Sequence, residues 1–83
     1  MFTMMNRTEV SVLCALHDLH MEGRPPTLMQ VVRRAGIAAD EALRAVDGLA
    51  AQELVDAERL RLTLLGFAAG RAFAKRPAAT RAA

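Results

Sequence analysis

Residues 35–57 read A-G-I-A-A-D-E-A-L-R-A-V-D-G-L-A-A-Q-E-L-V-D-A, and this stretch decides the fold. A short helical segment stops at Gly36, the residue type that most readily takes the left-handed conformation closing a helix. Ile37 follows, placed to plug a core between the helices on either side. The next run, about Ala39 to Ala51, carries Leu43, Val46 and Leu49 at helical spacing. Leu54-Val55 then reads as the first strand of a small hairpin.

Working outward toward the N-terminus, Thr27 and Gln30 form a capping box for a helix over about Leu28 to Ala35. Its inward residues are Leu28, Val31 and Val32. Arg33 and Arg34 sit in its last turn, where cations suit the helix dipole. Arg24-Pro25-Pro26 forms an extended link, because proline disfavours helix in the residue before it. Before the link, Asn6 with Glu9, or alternatively Thr8, caps a first helix that runs to about Met21 and ends at Gly23. Val12, Leu13, Leu16 and Leu19 make its core stripe.

Toward the C-terminus, Leu54 to Ala57 and Arg59 to Leu62 read as two short strands, with Val55, Leu60 and Leu62 facing inward. The link at Ala57-Glu58 has no glycine, so the usual hairpin chemistry does not support it. The rival is a plain helical bundle in which Leu54 to Leu62 is a loop. Thr63 caps a last helix over about Leu64 to Lys75. The organisation expected is an apolar extension at 1–5, one folded domain at 6–75 and a disordered tail at 76–83.

Composition narrows the class. A chain of 83 residues has room for one small core. Hydrophobic residues make up 53%, but alanine supplies much of that and buries little area. Aromatics are 4%, all Phe, which argues against stacking platforms for single-stranded nucleic acid. The single Cys14 cannot form an internal disulfide and reads as a buried thiol in a reducing compartment. No basic segment followed by an apolar run opens the chain, and no apolar stretch reaches about 18 residues. The expected location is therefore the cytoplasm, without a membrane contact. Cys14, His17 and His20 recur three apart on the first helix, which does not point all three at one ion. No Ser-His-Asp order, glycine-rich phosphate loop or paired-carboxylate cleft can be assembled. The chain reads as a non-enzyme, with no catalytic residue, cofactor or metal.

A helix, a tight glycine turn, a second helix and a Leu-Val step resemble the winged helix-turn-helix domains of small bacterial MarR-like transcriptional regulators and related families. The resemblance covers about Thr8 to Phe73. Leu62, Thr63 and Gly66 also match how many such domains leave the wing. It implies a mainly α fold with a small β-hairpin, with about four helices and a short wing. It further implies transcriptional regulation through binding of double-stranded DNA. In the family, the helix after the glycine turn lies in the major groove. By position, that assigns DNA-facing places to Ala39, Asp40, Glu41, Leu43, Arg44 and Asp47. Glu53 departs from the family, which commonly has glycine where the backbone leaves this helix.

The charges are split along the chain. From Ala35 to Glu58, Arg44 stands against Asp40, Glu41, Asp47, Glu53, Asp56 and Glu58, a net of −5. From Arg59 to Ala83 there are Arg59, Arg61, Arg71, Lys75, Arg76 and Arg81 with no acid, a net of +6. Carboxylates oppose a phosphate lattice, so the candidate DNA-binding residues are Arg33, Arg34, Arg44, Arg59 and Arg61. Asp40, Glu41 and Asp47 are instead candidates for contact with another regulatory protein. The alternative function is thus a protein-interaction module, an accessory or antagonist of a regulator, without sequence-specific DNA binding. The small residues Gly66, Ala69, Gly70 and Ala72, flanked by Leu65 and Phe73, suit either packing against the first helix or the seam of a homodimer, with Met1 to Met5 as a further contact.

Overall fold

In the computed structural model, which describes residues 5–74, the first helix α1 (Arg7–Met21) begins at a complete capping box. The Asn6 side chain accepts from the Glu9 amide at 2.8 Å, and Glu9 accepts from the Asn6 amide at 3.1 Å. Val12, Leu13, Leu16 and Leu19 are all buried, as their spacing predicts. Cys14 is half-buried rather than fully enclosed. Met5 packs against the core, and Met1 to Met4 lie outside the described residues.

At its end, Gly23 turns left-handed (φ 71°), and the amides of Gly23 and Arg24 bond back to the carbonyls of His20 and Leu19. These two bonds define a Schellman stop. The second helix α2 (Leu28–Ala35) starts on Thr27, whose hydroxyl accepts from the Gln30 amide at 3.2 Å. The box is only half made, because the Gln30 side chain does not reach back to Thr27. Gly36 (φ 70°) closes the helix, and Ile37 is partly buried against the core as expected.

Helix α3 (Ala39–Ala51) has Ala38 at its cap, which offers no side-chain acceptor. Glu41 serves instead, accepting from the Ala38 amide at 3.2 Å. The buried stripe is Ala42, Ala45, Val46 and Leu49. Leu43, apolar at helical spacing but placed by the family resemblance on the outward side, is 52% exposed and belongs to the solvent face.

Helix α3 ends in a second Schellman stop. Here the left-handed residue is Glu53 (φ 64°), and the Glu53 and Leu54 amides bond to the Ala50 and Leu49 carbonyls. The buried Leu49 and Leu54 supply the apolar contact typical of the motif. A β-carbon in this conformation costs about 1–2 kcal/mol. Glycine would relieve that while adding about 0.4–1 kcal/mol of unfolded-chain entropy. Glu53→Gly is therefore expected to raise stability by roughly 0.5–1 kcal/mol. A urea midpoint below that of the wild type would contradict this account.

The strands β1 (Val55–Asp56) and β2 (Arg61–Leu62) pair antiparallel, with Val55 opposite Leu62 and Asp56 opposite Arg61. Both are shorter than the sequence suggests, but the hairpin is present, so the plain-bundle alternative falls. The turn works without glycine. The Asp56 carboxylate accepts from the Glu58 and Arg59 amides at 3.1 and 3.3 Å, and Leu60 takes the left-handed conformation (φ 53°).

Thr63 clasps three elements together. Its amide bonds to the Leu54 carbonyl, its hydroxyl donates to the Glu53 carbonyl at 2.6 Å, and that same oxygen accepts from the Gly66 amide at 3.0 Å. This last bond caps α4 (Leu64–Ala74). The tail and Lys75 lie outside the described residues. Helix α1 runs through the middle, touching α2, α3, α4 and β2. The four helices and the hairpin of the described residues make a mainly α fold with a small wing. No helix among them is long and apolar enough to cross a membrane.

The small-residue face of α4 divides in two. Gly66, Ala69 and Gly70 are buried within the chain, Gly66 beneath Leu54 and Gly70 beneath His17. They are intrachain packing. The outer face carries Leu64 at 91% exposure, with exposed Leu65, Ala68 and Ala72.

Candidate nucleic-acid interface

The α2–Gly36–α3 unit presents the solvent face of α3, with the wing beyond it. On that face Asp40, Glu41, Leu43, Arg44 and Asp47 are all exposed. Arg44 does not stand free for DNA. Its Nη2 lies 3.1 Å from Asp40 Oδ2, one helical turn back. Because both side chains are about three-quarters exposed, the pair is weak, and its main consequence is local neutralisation. Glu41 and Asp47 remain, so the face is acidic around an exposed leucine.

Arg34 is also engaged. Its guanidinium forks onto Glu22 at the end of α1, with Nη2–Oε1 at 2.9 Å, while Arg24 Nε lies 3.5 Å from the same carboxylate. The Arg34 hydrogen bond holds the Glu22 carboxyl below its ordinary range and raises the Arg34 guanidinium above its own. A lowered carboxyl contributes stability that is present above its unfolded pKa and lost as pH falls through the folded value. The Glu22 side chain is 40% exposed, so screening keeps that contribution small.

Arg33, Arg59 and Arg61 are exposed and form no ion pair among the described residues. Arg33 and Arg61 each border one of two grooves that share Arg24, neither of them lined by α3, and Arg59 borders neither. One, about 420 Å³, is lined by Leu19, Arg24, Gln30, Arg33 and Arg34. The buried Gln30 Oε1 has no partner in it. The other, about 450 Å³, lies between the end of α1, the link to α2 and β2, and its rim includes His20, Arg24 and Arg61. Arg24 borders both, so the structure adds it to the residues of interest. Its position before Pro25-Pro26 marked a link in the sequence, but nothing in the spacing tied it to Arg33 or Arg61.

His17 is buried, with its ring 5.2 Å from Phe67, while His20 packs edge-on against the same ring at 5.0 Å. Both histidines thus help seat α4. No group of three metal-ligating side chains occurs among the described residues. No known protein family, characterised protein or solved structure matches this chain.

Proposed function

We propose that this chain is a DNA-binding transcriptional regulator of the winged helix-turn-helix type that holds duplex DNA chiefly through its phosphates. The observation that carries this reading is the set of exposed arginines, Arg33, Arg59 and Arg61, which form no ion pair among the described residues, on a frame of helix, glycine turn, helix and hairpin. Titration of random and genomic duplexes at several salt concentrations tests it. Affinity is expected to fall steeply with salt. No binding to any duplex at about 50 mM salt would remove the reading.

A second reading rests on α3. Leu43 is 52% exposed, and around it only Glu41 and Asp47 keep unpaired charge, because Arg44 and Asp40 neutralise each other. A leucine ringed by acids fits a basic protein surface with an apolar pocket, which makes the chain an accessory or antagonist of a regulator. The double change Asp40→Asn, Glu41→Gln separates the two. Gln retains an oxygen for the Ala38 amide, so α3 keeps its start. DNA affinity is expected to rise several-fold at low salt under the first reading, since two repulsive charges vanish and Arg44 is released. Under the second, DNA affinity stays flat and a protein complex weakens.

We further propose a cytoplasmic homodimer. Exposed Leu64 and Leu65 on α4, whose described residues carry Arg71 as their only charge, support it. Gly70→Glu is unsuitable as a probe because Gly70 faces His17. Sedimentation of the wild type against Leu64→Glu is expected to show a dimer and a monomer at micromolar concentration. A wild type that stays monomeric to about 100 μM excludes the dimer.

A further inference from the structure

The groove beside β2 has the features of a strand-addition site. Within the hairpin, Thr63 donates to the Leu54 carbonyl, one register step before the Val55–Leu62 pair. Antiparallel ladders alternate bonded and non-bonded pairs. Val55–Leu62 is therefore the non-bonded pair, and the Leu62 amide and carbonyl point away from β1. On that side runs the link from α1 to α2, and Pro25 and Pro26 have no amide hydrogen to offer. No hydrogen bond joins the link to β2 among the described residues. Between them lies the open groove of about 450 Å³.

Its walls select the occupant. Leu16, Leu60 and Leu62 give it an apolar side, and Arg24 and Arg61 give it charge, with no acidic residue in the lining. The nearest carboxylates stand outside the lining. Glu22 pairs with Arg34 and, at 3.5 Å, with Arg24, so Arg24 brings only part of its charge to the groove. Asp56 holds the turn amides, and Arg61 forms no ion pair among the described residues. Leu60 holds a left-handed backbone that disfavours any side chain, and that side chain lines the groove and packs on the core.

We propose that this groove binds an extended, acidic peptide segment of a partner protein, which adds to β2 as a third strand. Side chains of a strand alternate between faces. A segment of alternating apolar and acidic residues thus sets its apolar side beside Leu62 and its carboxylates beside Arg61 and Arg24. The chain's own tail is a poor occupant, because residues 75–83 carry Lys75, Arg76 and Arg81 and no acid. This site shares Arg61 with the DNA reading but does not depend on it, and it is assayed without DNA.

The test uses the full chain and two capped, dye-labelled octapeptides, one alternating Val-Asp and one alternating Val-Lys. The Val-Asp peptide is expected to bind saturably below about 1 mM and to slow exchange of the Leu62 amide at least tenfold. The Val-Lys peptide is expected not to bind. Arg24→Glu should weaken the Val-Asp peptide at least tenfold, while Arg71→Glu, which lies outside the groove, should change it less than threefold. Binding without protection of the Leu62 amide overturns the proposal. So does an equal loss in the two arginine variants, which would indicate general charge attraction. Protection of Leu62 by duplex DNA and not by the peptide would make the groove a nucleic-acid surface and also overturn it.

Discussion

Gly66→Ala is expected to lower the melting temperature by about 12–24 °C. A β-carbon at this position would lie 2.8 Å from the Leu54 carbonyl carbon and closer still to its oxygen. Two effects oppose each other. Alanine in place of glycine within a helix is worth about 1 kcal/mol through propensity. Against it stands overpacking, which costs about 1–3 kcal/mol when flexible side chains are the obstacle and more when they are not. Here the obstacle is main chain, itself fixed by the Thr63 amide and by the buried Leu54 side chain. Sterics therefore wins, with a net loss of about 3 kcal/mol. In a domain of this size, each kcal/mol corresponds to about 4–8 °C. Circular dichroism at 222 nm against temperature measures the change, with Ala68→Gly on the exposed face of α4 as the propensity control. A melting point within a few degrees of the wild type would mean that α4 can shift away from the Leu54 carbonyl without cost.

Changing Arg59 and Arg61 together to alanine is expected to weaken duplex binding by up to about 60-fold at 0.1 M salt, equally for all sequences. Each phosphate neutralised contributes a slope of about 0.9 in log affinity against log salt. Two lost contacts flatten the slope by about 1.8, which at 0.1 M corresponds to that factor. The value is an upper bound, because Asp56 lies opposite Arg61 and already offsets part of its charge. Fluorescence anisotropy at four salt concentrations, with one random and one genomic duplex, reads both the slope and the affinity. A loss confined to one duplex, with the slope unchanged, would assign these arginines to base reading and overturn the phosphate role.

The helix starts and stops were legible where a local hydrogen bond makes them. Asn6 with Glu9, Thr27, Gly23, Gly36 and Thr63 each act within about four residues, so their chemistry is written in the spacing. The hairpin turn was not legible, because Leu60 takes a conformation that its residue type disfavours and Asp56 replaces the missing glycine with a side-chain bond. Leu43 had two readings, one from apolar spacing and one from its outward place in the resemblance, and the structure takes the outward one. The buried stripe of α3 runs through Ala42 and Ala45, so small residues carry the inward positions and a large apolar one is left outside.

The candidate arginines were legible as charges but not as free or engaged ones. Arg44 with Asp40 at i,i+4 could have been read from spacing alone. Arg34 with Glu22, 12 residues apart, depends on how α2 crosses α1. Arg24 and Arg61 border one groove only because β2 faces the α1–α2 link across it.

The Thr63 clasp makes one lever of what look like two appendages. The residue binds the exit of α3, the root of the wing and the start of α4 within a few bonds, with Gly66 seated on the Leu54 main chain just before β1. The hairpin therefore has no hinge of its own at this root. The outer face of α4 and Arg61, two residues before Thr63, are thus joined through one short hydrogen-bonded segment. Any body that seats on α4 therefore bears on the same few bonds that root the wing.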